Sequence, residues 1–129
     1  MQYVKLPKEN LDAFVENLKA YGKVYGPIKI GESHSFQEIK NSKEMDLDYT
    51  RTMIPPKKFF LKLKERIFIF DEEKGEYEET LEEGKTVVFG VHPCDINALK
   101  LMDKIYIDET PDKYYKMRRE NAVIIGYSC

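Results

Sequence analysis

Apolar residues recur, alternate and run together along this chain, and each pattern predicts a different element. Leu11, Phe14, Val15 and Leu18 repeat three and four apart, the spacing of one helix face. Asn10 stands where an N-cap belongs, and Gly22 where a C′ residue would stop the helix. Ahead of it, "QYVKL" reads as a short first strand. "KVYGPIKIG" predicts a strand broken near Gly26-Pro27, and "SFQEI" continues extended. "KNSKEMDLDYT" is polar and predicts a surface loop, and His34, in polar surroundings, is expected at the surface. Pro55 and Pro56 exclude helix interior, so a short helix is expected just after them. "RIFIFD" alternates as a strand, "EEKGEY" turns it back, and "EETLEEGK" reads as an acidic, solvated connection.

The last third carries the sharpest signals. "TVVFGV" is a short, continuous apolar run rich in β-branched residues, the mark of a strand buried on both faces. A helix through Ile96, Leu99 and Met102 follows, then a brief strand "IYI". "ETPDKYYKMRREN" predicts a helix with Thr110 as N-cap, Pro111 at N1, Asp112 in the first turn, and Arg118 and Arg119 in the last. "AVIIGY" reads as a second buried strand. Strand, helix, helix, strand implies a crossover between parallel strands, right-handed in nearly all cases. The expected fold is a single α/β domain over residues 1–129, a small mixed, partly parallel sheet flanked by helices. No internal repeat or Gly/Ser linker divides it.

Composition narrows the function classes. The 129 residues carry 21 Lys+Arg against 23 Asp+Glu, a net charge of −2, which gives no overall electrostatic case for nucleic acid or an anionic membrane. Charged residues reach 34%, mostly Lys and Glu, and Trp is absent, a balance typical of thermophile proteins. No apolar run approaches the roughly 18 residues of a membrane span. "MQYVKLPKEN" lacks the apolar region of a signal peptide, so the cytoplasm is the expected compartment. There the two cysteines are expected to be free, redox-active or metal-bound rather than a structural disulfide.

Each cysteine follows a predicted strand. If the runs ending at Val91 and Tyr127 are parallel, Cys94 and Cys129 leave the same carboxyl edge of the sheet, where open α/β sheets bind ligands. Adjacent strands lie about 4.8 Å apart, so loops from neighbours, or from next-neighbours at about 10 Å, are close enough to share one ligand. Cys94 would also begin a helix, where the macrodipole favours thiolate, the form that binds metal. Pro93 stiffens the approach. Against this stands a plainer reading, in which a lone cysteine is a small buried hydrophobe.

Other readings of the same residues remain. His92 beside Cys94 suggests a thiol nucleophile with its base, oriented by Asp95, although residues two apart on a turn rarely meet in that geometry. Two cysteines cannot complete a tetrathiolate site, and "HPCD" lacks the partners of a zinc deaminase. Arg51, Lys57 and Lys58 around "IPPK" are candidates for holding an anion or a partner's acidic patch, with a solvated basic face as the alternative. Tyrosines and phenylalanines are expected in the core, and Gly22, Gly26, Gly75 and Gly84 in turns. Neither GxGxxG nor GxxxxGK[ST] occurs, so no nucleotide loop is expected.

"GVHPCDINALKLMDKIY" and "NAVIIGYSC" resemble the beta-subunit family of archaeal sulfhydrogenases (cytosolic nickel-iron hydrogenases), a group that also holds one of the subunits of anaerobic sulfite reductase. In that family a strand runs into G-V-[RH]-P-C-D and a helix, and a later strand ends in a cysteine. "YTRTMIPPKKFF" matches the family's PPK-aromatic segment, and "YVKLPKENLDAF" its N-terminus, whereas "LKLKERIFIF" departs from the Pro-containing sequence of that position. The resemblance spans most of the chain, and HPCD is its most specific part. It implies the N-terminal domain of a longer iron-sulfur protein that passes electrons between a flavin subunit and a catalytic subunit. Hydrogen, polysulfide and sulfite all lie within its range of electron donors and acceptors. The family's ferredoxin-like dicluster region is missing, as is any CxxCxxCxxxCP run. A strand as apolar as "AVIIGYSC" is an odd place for a natural end, so a fragment is expected. The resemblance then implies that Cys94 and Cys129 supply two thiolates to a 4Fe-4S cluster, the others coming from beyond residue 129. A subunit-docking module with structural cysteines, or a thiol-dependent enzyme using Cys94, are the alternatives.

Overall fold

The computed structural model describes residues 3–80 and 84–128. Helix α1 (Leu11–Lys19) leads into an antiparallel pair, β1 (Lys23–Ile30) and β2 (Ser33–Glu38). An irregular stretch with two short 3-10 turns, Ser42–Glu44 and Pro56–Phe59, leads to a separate hairpin, β3 (Phe68–Asp71) and β4 (Glu76–Glu79). Then β5 (Thr86–Val91), α2 (Pro93–Asp103), a π-helical turn (Lys104–Glu109), α3 (Lys113–Glu120) and β6 (Ala122–Gly126) complete the described chain. The main sheet has the order β2-β1-β5-β6, with β5 parallel to both β1 and β6. It is the small mixed α/β sheet that the sequence patterning predicts.

β5 is central, and Val87 to Val91 are buried as a continuous apolar run requires. Val15 of α1 packs with Val24, Ile39 and Val87 on one part of the core. Phe36, Tyr49, Val88 and Val91 form a second cluster, and Phe60, Leu99 and Tyr115 a third beneath α2 and α3. Burying a side chain of Val or Phe size stabilises by about 1.5–3 kcal/mol, so these clusters seat the three parallel strands firmly.

Several local expectations are corrected. Residues 3–7 form no strand and are exposed, so nothing partners "YVKL". β1 is unbroken, because Pro27 stands just past its last pair with β5, Tyr25–Val88, where a missing N–H removes no ladder bond on that side. Gly26 belongs to that strand, not to a turn, and a Cβ there would lie 2.8 Å from Met45 Cγ. "IYI" is helical, since no breaker precedes Thr110-Pro111 and the chain runs on from α2 with wider π spacing. Tyr106 and Ile107 there pack against the Phe60 cluster. Asp112, not Thr110, caps α3, accepting the Tyr115 amide at 2.7 Å. β6 is only half-buried, being an edge strand. Phe68, Phe70 and Tyr77 of the hairpin are exposed, so the aromatic residues are not all core.

Candidate functional site

β5 and β6 run side by side in the same direction, pairing from Thr86–Ala122 to Val91–Gly126. Gly90 interrupts the register with φ 82°, a bulge that a side chain would oppose, and a Cβ there would come 2.8 Å from Leu47 Cδ2. Past the last pair, the Tyr127 amide still donates to the Val91 carbonyl at 2.8 Å. The chain leaving β6 is thus tied to the point where β5 hands over to His92, Pro93 and Cys94.

Pro93 is the first residue of α2, in the position where a missing amide hydrogen costs nothing. The first bond of the helix runs from the Ile96 amide to the His92 carbonyl at 3.1 Å. Cys94 follows in the first turn, and its thiol is free and exposed. It is therefore not the small buried hydrophobe of the plainer reading. Ile96 leans over the end of β6, where a Cβ on Gly126 would lie 3.0 Å from Ile96 Cδ1. The first turn of α2 thus lies close beside the end of β6. Cys129 lies outside the described residues.

His92 is buried, 5% exposed, and its ring stacks on Tyr49 at 4.1 Å with the planes 6° apart. Tyr127 lies beyond at 6.4 Å. The Tyr49 hydroxyl donates to the Gly90 carbonyl at 2.7 Å, which ties the polar loop to the bulge of β5. No hydrogen bond joins His92 to Cys94 or to Asp95 among the described residues. The geometry of a thiol nucleophile with its base is therefore not present. Burial pushes the Asp95 carboxyl above its usual range, an effect that neighbouring His92 opposes.

Tyr49 is the site residue that sequence reasoning missed. Its one signal is an aromatic ring alone in the polar run "DLDYT". His34, expected at the surface, is mostly buried, with Nε2 3.0 Å from Asp46 Oδ2 and its ring 5.9 Å from Tyr49. That contact, followed by the Asp48 amide, holds the Asp46 carboxyl below the ordinary range against a smaller opposing effect of burial. Arg51, Lys57 and Lys58 do not gather on one ligand. Lys58 turns inward to donate to the Phe36 carbonyl at 2.7 Å, while Arg51 and Lys57 stay exposed.

Among the described residues no three His, Cys, Asp or Glu side chains come together in a way that could hold a metal ion. What the carboxyl edge offers a thiolate-bound group is one exposed, free thiol of the correct chemistry. It fits such a group as one ligand of a shared site.

The chain is 46% identical over all 129 of its residues to Sulfhydrogenase 2 subunit beta of Pyrococcus furiosus. It resembles a sulfhydrogenase beta subunit along its whole length. The chain spans 38% of that relative's length. No protein-family model matches it, and no solved structure does. The similarity agrees with the family resemblance carried by "GVHPCDINALKLMDKIY" and "NAVIIGYSC". Among the described residues no helix is long and apolar enough to cross a membrane.

Proposed function

We propose that this chain is the N-terminal domain of an iron-sulfur electron-transfer subunit in a hydrogenase-like, multisubunit oxidoreductase of the cytoplasm. The observation that carries the reading is the exposed Cys94 thiol, presented at the carboxyl edge where β6 ends. The similarity of all 129 residues to part of a sulfhydrogenase beta subunit supports it. Cys94 and Cys129 each contribute a thiolate to a 4Fe-4S cluster, and the other two come from a longer protein of which this chain is a part. When bound, such a cluster supplies one-electron transfer. The domain's own work is positional. Pro93 and the Tyr49–His92 stack fix the start of α2, and the Tyr127–Val91 bond holds the exit of β6 beside it.

Partner subunits, one bearing flavin and one catalytic, dock on this domain. The exposed Phe68, Phe70 and Tyr77 of the hairpin support docking, since a solvated two-stranded hairpin gains little from such rings on its own. Anaerobic reconstitution of the full-length protein, followed by electron paramagnetic resonance after reduction, tests the assignment. Signals of reduced 4Fe-4S clusters that diminish in the Cys94→Ser protein are expected. Identical spectra for both proteins would remove Cys94 from the electron path and leave a docking module with structural cysteines.

A further inference from the structure

At the opposite, amino edge of the parallel strands a cleft of about 620 Å³ gathers Lys23, Lys58, Lys62, Lys85 and Arg118. These five cations come from four separate parts of the chain: the start of β1, the segment around the Pro56–Phe59 turn, the approach to β5, and α3. Lys23 and Lys85 are brought together by the bond from the Lys23 amide to the Lys85 carbonyl at 3.2 Å. No Asp or Glu is among the described residues that line the cleft. In a chain whose net charge is −2, that concentration of like charge is not a sample of the average surface.

Carboxylates stand at its margin among the described residues, but they are fewer than the cations. Glu65 pairs with Arg118, whose other terminal nitrogen donates to the Phe60 carbonyl at 3.1 Å. Glu38 stands 3.7 Å from Lys23 at the rim, and Lys85 lies over the Tyr21 ring at 5.1 Å. The Arg118 Nε–H is buried without a hydrogen-bond partner. Burial lowers the pKa of Lys58 and of Lys62; the Arg118 charge lowers Lys62 further, and the Glu65 charge partly offsets that. Clustered, partly desolvated cations repel one another unless an anion lies between them. A cleft of this volume is the size of small-molecule sites, about 300–1,000 Å³.

We propose that this cleft binds a small, multiply charged phosphate ligand, its oxygens shared among Lys23, Lys85 and Arg118. Ammonium and guanidinium groups converging from several directions suit the tetrahedral oxygens of a phosphate chain. The site is separate from the carboxyl edge and does not depend on the cluster assignment.

Calorimetric titration of the protein with inorganic tripolyphosphate tests this at low and at physiological salt. One ligand per chain is expected, with Lys23→Gln and Lys85→Gln each weakening binding about tenfold, the size of one charge-assisted hydrogen bond. Lys74→Gln, in the turn of the hairpin, should change nothing. If either cleft variant misfolds, amide chemical-shift mapping on the wild-type protein replaces it, and perturbations centred on Lys23, Lys85 and Arg118 are expected. Absence of binding at millimolar tripolyphosphate overturns the proposal. So does equal weakening by Lys74→Gln, which would mean unspecific attraction. Tighter binding of an acidic peptide such as oligo-glutamate would make the cleft a protein-docking patch and overturn it too.

Discussion

The backbone amide of Tyr127 donates to the carbonyl oxygen of Val91 at 2.8 Å, beyond the last regular pair of β5 and β6. This bond aligns two exits from the sheet. One becomes the turn that presents Cys94, and the other leads through Ser128 toward Cys129.

Cys94 is exposed in the first turn of α2 and belongs to none of the core clusters. Cys94→Ser is expected to change stability by less than about 0.5 kcal/mol, the usual range for a surface substitution. Urea denaturation followed by circular dichroism checks this. The thiol should also react completely with iodoacetamide in the native, metal-free protein. Loss of several kcal/mol, or a thiol protected until unfolding, would place Cys94 in the core.

Gly22 is required by a close approach and not by a turn conformation. A Cβ there would lie 2.2 Å from the Lys85 carbonyl oxygen, in the backbone that joins β1 to β5. Gly22→Ala must push those strands apart and should cost about 2–4 kcal/mol, comparable to overpacking a core. A thermal midpoint equal to wild type would contradict this.

Tyr49 links the polar loop to the bulge. Removing its hydroxyl leaves the Gly90 carbonyl without that donor, so Tyr49→Phe should destabilise by about 1–2 kcal/mol. That substitution keeps an aromatic ring against His92. Tyr49→Leu removes the ring as well, so it should cost more and shift the His92 ring resonances, which proton NMR reads directly. Equal stability of the two variants would show that the stack contributes nothing.

Asp103 accepts two bonds from Arg119, both 2.7 Å, and one from the Tyr115 hydroxyl at 2.6 Å. The Arg119 bonds hold its carboxyl below the usual value, burial opposes them, and Tyr115 adds to the lowering. A carboxylate depressed in the folded state contributes stability above its unfolded pKa, about 3.9, and loses that contribution as pH falls through the folded value. Asp103→Asn should therefore be less stable by about 1–3 kcal/mol at pH 7, with the gap to wild type closing below about pH 4. The other depressed carboxylates are common to both proteins and cancel in the difference. Parallel stability curves down to about pH 2 would refute the assignment.

Long-range order was legible where the apolar runs were continuous. Val87 to Val91 read as a strand buried on both faces, and the helical segments that follow imply the parallel return of β6, but its central place in the sheet was not readable. Short apolar stretches misled, because "IYI" and "YVKL" satisfy a two-residue period whether or not a neighbour exists to pair with them. The exposed hairpin rings show the same limit, since alternation records a strand without saying what covers it. At the site, the shared carboxyl edge of the β5 and β6 exits was readable from strand direction, whereas the adjacency of the two strands was not. The Tyr49–His92 stack was not, because it joins residues 43 positions apart through a loop without periodicity.

The most direct test of the cluster assignment is iron and acid-labile sulfide per chain. The sample is the full-length protein, purified without oxygen and compared with its Cys94→Ser and Ser128→Ala variants. Cys94→Ser is expected to lose about four irons, the content of one 4Fe-4S cluster, while remaining folded, and Ser128→Ala to keep them all. Equal iron in all three proteins would contradict the role given to Cys94.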